Sequence, residues 1–162
     1  MAVWNFTLAV VQNDGAAEFV GDARRDGVVG TRCMNAVWLI DYALSADVLA
    51  TAVAHAQEAI VVEGGNVIGL EPDDLVTLQE IGHESGLGWH RVHALANSDG
   101  DEQMPLPVRR LSSDRPLWSW REVSAWLAAR ELVSKETAKF AADAYEINAG
   151  LMSNWQTAVL QT

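Results

Sequence analysis

The sequence contains a single cysteine, Cys33, in 162 residues. One thiol excludes an internal disulfide and leaves no set of thiolates for a zinc or iron–sulfur cluster. The neighbours Met34, Ala36, Val37 and Trp38 are apolar. We therefore expect Cys33 to be an unreactive thiol in the hydrophobic core.

Long apolar runs are also missing. No segment approaches the roughly 18 consecutive apolar residues of a membrane-spanning helix, and the N-terminus lacks the charged and apolar regions of a signal peptide. We therefore expect a soluble, cytoplasmic protein. Its hydrophobic content of 49% is enough to bury a core in one domain or in two small ones.

Positive charge is scarce, with 11 Lys and Arg against 22 Asp and Glu, a net charge of −11. Residues 1–72 carry nine acids and three bases, residues 73–131 ten and six, and residues 132–162 three and two. A protein that binds phosphates usually has a basic surface. The middle segment nonetheless holds five arginines that could form one basic face: Arg91, Arg109, Arg110, Arg115 and Arg121.

Signatures of catalysis are incomplete. His83-Glu84 begins like the metalloprotease motif H-E-x-x-H, but Leu87 occupies the position of the second histidine. His90 and His93 could lie on adjacent helical turns, yet no third ligand is evident. No glycine-rich phosphate loop and no G-x-S-x-G elbow is present. We expect no enzymatic activity, no metal and no cofactor.

The first 72 residues show strand and helix patterns in alternation. Large apolar residues recur at period two in residues 4–11, which predicts a strand. The remaining predicted elements are a short helix at 16–26, one or two strands at 31–44, a helix at 46–61 capped by Ser45, and a strand at 66–71. This β-α-β-α-β order predicts a small α+β module of the ferredoxin-like kind, in which no chemistry is visible.

A second organised stretch begins at Thr77. Thr77 and Glu80 have the spacing of a capping box, which predicts a helix start. Gly82 inside this helix suggests that another helix crosses closely, because a helical glycine is otherwise unfavourable. Gly86 fits a left-handed helix end. A second helix is predicted from Trp89 to Asn97.

The two faces of this second helix differ. Val92, Leu95 and Ala96 share the inward face. The opposite face carries His90, His93, Ala94 and Asn97. Trp89 lies at the border, where it could be a core edge, a stacking contact with sugar or phosphate, or part of a protein interface.

A small β-ribbon and a third helix are predicted to follow. Residues 105–111 suggest a strand, 112–114 a turn, and 116–118 the returning strand. Ser119 can cap a helix in which apolar residues recur at helical spacing. Bulky Trp118 and Trp126 are expected to pack this ribbon, or wing, against the helix.

These motifs resemble a known family. The stretches "EIGHESGL..HRVHALA" and "P.PVRRLSSDRPLWSWREVSAWL" are similar to the excisionase and MerR-like winged helix-turn-helix DNA-binding domains. The resemblance covers about residues 75–130. The junction at residues 67–77 also resembles the end of an α/β module that precedes such domains in actinobacterial proteins, which implies a role in self-association for residues 1–72.

The resemblance implies a sequence-specific DNA-binding protein, a prokaryotic or phage transcriptional regulator that acts as a dimer on double-stranded DNA. The second helix would enter the major groove. The residues implied to contact DNA are Trp89, His90, Arg91, His93 and Asn97 on that helix, and Arg109, Arg110, Ser112, Ser113 and Arg115 in the wing. The alternative is a protein-interaction module, such as an antitoxin, adaptor or phage-encoded inhibitor, which the acidic charge favours.

The last predicted helix, capped by Ser134, runs from about residue 135 to residue 160. Apolar residues recur along it at spacings of three and four, including Phe140, Ile147, Leu151 and Trp155. Such a stripe must be covered. It either packs against its own domain or forms a dimer seam or partner-binding surface.

Overall fold

A computed structural model describes residues 1–12, 26–100 and 103–160, without the side chains of residues 155–159. The described elements are β1 (Ala2–Gln12), β2 (Val28–Met34), β3 (Val37–Ala46), α1 (Leu49–Val62), β4 (Gly65–Glu71), β5 (Leu75–Val76), α2 (Leu78–Ser85), α3 (Trp89–Ala96), β6 (Trp118–Ser119), α4 (Trp120–Ala129) and α5 (Lys135–Leu160). The protein is therefore of the mixed α+β class.

The chain divides into two units. The first consists of Met1–Pro72 with Glu146–Thr162, and the second of Asp73–Tyr145. The division after Pro72 coincides with the expected end of the N-terminal module. The C-terminal helix, expected as a segment of its own, is instead shared, so that its two parts belong to different cores.

The first unit contains a four-stranded antiparallel sheet in the order β2-β3-β1-β4. Phe6, Leu8 and Val10 alternate along β1 and are buried. Residues of β3 alternate in the same way, and α1 packs on β3 and β4. Burial at period two on the strands makes the central strands the core of this unit.

For residues 31–44 the prediction of one or two strands left two alternatives, and the structure has two strands. Asn35 and Ala36, with φ of 53° and 65°, make the two-residue turn between β2 and β3. The described part of the module therefore has four strands, whereas the predicted β-α-β-α-β order has three. The helix predicted at 16–26 lies outside the described residues, apart from Asp26, which is in a turn.

The start of α1 was predicted three residues too early. Ser45 does not cap a helix, because β3 continues to Ala46, which pairs with Ala2 of β1. The indole Nε1 of Trp4 also donates a hydrogen bond to the Ala46 carbonyl (3.1 Å). Strand pairing thus extends past the candidate cap, and the helix begins at Leu49 without a side-chain cap.

The prediction of a core position for Cys33 was wrong. Cys33 is exposed, and it lies on β2, a strand at the edge of the sheet. Its neighbour Met34 is also exposed. An apolar local sequence does not bury an edge strand when little packs on it.

The core of the second unit contains two buried tryptophans, Trp118 and Trp120. Its buried cluster consists of Val76, Ile81, Val92, Met104, Trp118, Trp120, Val123, Leu127 and Ala141. Trp126 is partly buried against this cluster, as expected of a residue that packs the third helix. The indole of Trp118 donates to the Pro105 carbonyl (3.0 Å), which holds the loop before the wing against the core.

Asp74 connects the start of this unit to the N-terminus of α4. Its carboxylate accepts hydrogen bonds from the Ser119 hydroxyl (3.1 Å) and the Arg121 amide (2.9 Å). Its own carbonyl accepts from the Trp120 amide (2.7 Å). Ser119 additionally caps α4 through the Glu122 amide, as predicted. A carboxylate is favourable there because it compensates the partial positive charge of a helix N-terminus.

The predicted two-stranded wing at 105–111 and 116–118 is reduced to one isolated bridge between Arg109 and Leu117. Two causes are visible. Pro105 and Pro107 lack the amide hydrogens that a strand ladder requires, and Arg110 leaves the extended region with φ of 52°. The strand at Trp118 instead pairs with β5, which the sequence did not predict.

The predicted capping box and helix end are confirmed. The Thr77 hydroxyl accepts from the Glu80 amide, and the Glu80 carboxylate accepts from the Thr77 amide. Gly86 ends α2 with φ of 72°. A Cβ on Gly82 would lie 2.8 Å from the Gly88 carbonyl carbon. The absence of that atom lets α3 begin directly against α2.

We expect Gly82→Ala to destabilise the second unit by up to about 2 kcal/mol, because overpacking against backbone costs about 1–3 kcal/mol and the helix-propensity gain offsets only about 1 kcal/mol. Gly150→Ala is the matched control. Gly150 is exposed on α5 with nothing within 4 Å of an added Cβ. The Gly150→Ala variant should therefore be more stable than the wild type. Urea unfolding measures both, and a stabilised Gly82→Ala variant would contradict the close approach.

Candidate nucleic-acid interface

The ten residues proposed from sequence to contact DNA are all exposed. On α3, Val92 is fully buried, while Leu95 and Ala96 pack partly against the core. This burial fixes which face of α3 is turned outward. The predicted inward and outward faces of the helix are therefore confirmed.

Aromatic rings are packed together on the outer face of α3. Trp89 stacks on His93 with ring centroids 4.7 Å apart, and meets His90 edge-on at 5.1 Å. Trp89 is 47% exposed, so it is a surface residue rather than a core edge. The Asn97 amide donates to the His93 carbonyl (2.8 Å), which holds the side chain against the helix end.

The turn after Arg109 is held by hydrogen bonds of its own. The Ser113 amide donates to the Arg110 carbonyl (3.0 Å), and the Arg115 amide donates to the Ser113 hydroxyl (3.0 Å). Leu117 closes the turn by exchanging backbone hydrogen bonds with Arg109. These hydrogen bonds hold the backbone that carries the arginine side chains, although the wing does not form a two-stranded ribbon.

An open cleft of about 560 Å³ lies between the N-terminus of α2, helix α3 and the turn. It is lined by Thr77, Leu78, Gln79, Trp89, His93, Ala96, Asn97, Asp114, Arg115, Pro116 and Trp118. Four predicted residues meet here: Trp89, His93, Asn97 and Arg115. The other six, among them Arg91 and Arg110, are exposed but do not line the cleft.

Sequence reasoning missed several residues of this surface. Asp114 lines the cleft beside Arg115 and brings negative charge to a face expected to be basic. Thr77 and Gln79 line it from α2, although Thr77 was singled out only as a cap. Leu111, at the tip of the turn, is 70% exposed. The signal available in the sequence was a leucine placed directly between two arginines and two serines.

The partner surface expected on α5 is only partly available. Leu151 is 5% exposed, and Ala141 and Ala144 are similarly buried, so Leu151 is covered by this chain itself and is not a free contact. Phe140 and Ile147 are partly exposed. The side chain of Trp155 lies outside the described part of the chain.

In the described ranges, no group of three or more His, Cys, Asp or Glu side chains is placed to hold a metal ion. None of the helices described here combines the length and hydropathy needed to cross a membrane.

Comparison of the chain with protein-family models, with characterised proteins and with solved structures gave no match.

We expect Arg110→Gly to raise stability by about 1 kcal/mol, because a non-glycine residue at positive φ costs roughly that amount. Arg110→Ala should show no such gain, since alanine keeps the Cβ. Arg109→Gly is the matched control for charge: Arg109 is not at positive φ, so glycine there should destabilise by about 0.5–1 kcal/mol. Equal shifts in the urea midpoint for both glycine variants would contradict this geometry.

Proposed function

We propose that residues 73–131 form a winged helix-turn-helix and that the protein binds specific DNA sequences as a transcriptional regulator. The observation that carries this proposal is the shared cleft. Trp89, His93 and Asn97 of α3 border the same open space as Arg115 of the turn. A helix and a basic turn that face one groove can contact base edges and backbone together.

In this proposal, α3 enters the major groove and the turn contacts phosphates. His90, His93 and Asn97 are available to base edges, and Arg91 to phosphate or guanine. Asn97 donates to the His93 carbonyl in the free protein, so its amide must rotate to make the two-bond contact with adenine. Stacking of Trp89 on His93 restricts the imidazole and reduces the entropy lost on binding.

The turn supplies most of the positive charge of this proposed interface. Arg109, Arg110 and Arg115 are exposed, and Ser112 and Ser113 add hydroxyl donors. Phosphate contacts of this kind position a protein without selecting sequence. The division of roles is therefore between a helix with few charges, which would read bases, and a turn rich in arginine, which would supply affinity.

For the first unit we propose a ferredoxin-like fold. The strand order β2-β3-β1-β4 with antiparallel neighbours, and helix α1 between β3 and β4, support it. The connection from β1 to β2 lies outside the described residues. We assign this unit to assembly rather than to DNA contact, since six of the eleven net negative charges lie in residues 1–72.

The rival function is protein binding through the same surface. Residues 73–131 have four more acids than bases, and Trp89, Leu106 and Leu111 are large apolar side chains exposed in this unit. Exposed aromatic and apolar residues are typical of protein interfaces. Absence of any DNA binding at low salt would favour this rival.

DNA binding is tested by fluorescence anisotropy on genomic fragments at several salt concentrations. We expect Arg109→Ala with Arg110→Ala to weaken binding to all sequences and to reduce the slope of log K against log salt concentration by about 2, one per lost phosphate contact. Arg130→Ala with Lys139→Ala, which removes two positive charges elsewhere in the same unit, should change the slope little. If both pairs behave alike, general charge rather than the turn supplies the affinity.

Sequence selection is tested with His93→Ala and Asn97→Ala. We expect these variants to keep the salt slope and to lose discrimination at one or two base pairs, each by about 1–3 kcal/mol. The measurement is binding to a selected site and to its single-base-pair variants. Uniform weakening on all of these DNAs would contradict base recognition by α3.

A further inference from the structure

The two edge strands of the four-stranded sheet, β4 and β2, differ in what pairs with their outward backbone groups. At the β4 edge, the Asn148 side chain accepts a hydrogen bond from the Leu70 amide (2.7 Å) and donates one to the Leu70 carbonyl (2.8 Å). The Asn148 side chain therefore pairs with both the amide and the carbonyl of Leu70, as the backbone of a neighbouring strand would. At the other edge, β2 pairs only with β3 among the strands described.

The backbone groups that β2 directs outward follow from its turn. Asn35 and Ala36 form a two-residue hairpin turn, so Met34 and Val37 are the closing hydrogen-bonded pair. Hydrogen-bonded and non-hydrogen-bonded pairs alternate along an antiparallel ladder. Arg32 is thus bonded to β3, whereas the amide and carbonyl of Thr31 and Cys33 face the open edge.

Among the described residues, β2 carries few of the features that protect an edge strand. Natural edge strands discourage pairing with another chain by lysine, proline, inward-pointing charge or a β-bulge. β2 reads VVGTRCM and has one charge, Arg32, which is neutralised by Asp41 across the sheet at 2.9 Å. Val29 is 68% exposed and Met34 57%. The pairing register of β2 shifts between Val28 and Gly30, as at a β-bulge. The five regular residues that follow, Gly30–Met34, are long enough to add a strand.

We propose that a second copy of this chain pairs with β2 in antiparallel orientation, about a two-fold axis through Thr31, and joins the two sheets into one of eight strands. In this register Thr31 lies opposite Thr31 of the second copy, and Gly30 lies opposite Arg32. Each contact occurs twice, as an isologous interface requires.

The strand's own sequence favours a second copy as the occupant. Threonine pairs are favourable across antiparallel strands, and the small Gly30 leaves space for the long Arg32 side chain. A two-fold axis through Arg32 would place two guanidinium groups directly opposite, which is unfavourable.

The interface is tested on the full chain by analytical ultracentrifugation. We expect a dimer, and Thr31→Pro should raise its dissociation constant by about 100-fold, because one hydrogen bond is lost from each copy. The β3 ladder should survive, since the Thr31 amide points away from it. Thr31→Val keeps the amide and is the matched control.

Thr31→Lys, which adds charge at the edge, should weaken the dimer without a change of backbone, and circular dichroism checks the fold of each variant.

The register is tested by crosslinking Thr31→Cys in a Cys33→Ser background. Opposed residues of a hydrogen-bonded pair have Cα atoms about 5.5 Å apart, within disulfide range, so mild oxidation should link the two copies. Val3→Cys in the same background, exposed on β1, should stay unlinked. A monomeric wild-type chain, a dimer unaffected by Thr31→Pro and Thr31→Lys, or a link through native Cys33 would each overturn the proposal.

Discussion

The close approach of Gly82 to the backbone of Gly88 and Trp89 is the constraint on which the candidate interface depends. No Cβ is tolerated there, so α3 starts at one position against α2. Val92 then enters the core, and the opposite face of α3 turns outward with Trp89, His93 and Asn97. A shift of one residue in this crossing would rotate α3 by about 100°, given 3.6 residues per turn, and would bury part of the outer face.

Asp74 and Trp118 extend this arrangement to the rest of the second unit. Asp74 caps α4 with its carboxylate and binds Trp120 with its carbonyl. Trp118 is buried, pairs in β6 with β5, and donates to Pro105. The turn that carries the arginines therefore starts and ends at residues tied to the core. Its ordered position depends on these ties more than on a strand ladder of its own.

The charge of the proposed interface differs from the net charge of the whole chain. In the proposed interface, Arg115 of the turn lines the same cleft as Asp114. DNA binding by such a surface must rely on a local arrangement of charge, because the chain as a whole repels phosphate. The proposed pairing through β2 would place two such surfaces in one particle, and the avidity of two contacts compensates for weak individual ones.

Features that depend on local chemistry could be predicted from the sequence. The Thr77 and Ser119 caps, the Gly86 helix end and the two faces of α3 follow from hydrogen bonding and periodicity within a few residues, and the structure has them where the sequence predicted. Features that depend on distant partners became visible only in the folded chain: the exposed edge that contains Cys33, the pairing of β6 with β5, the late start of α1 and the burial of Leu151. A strand's exposure and its partner are set by residues far along the chain, so no local pattern contains them.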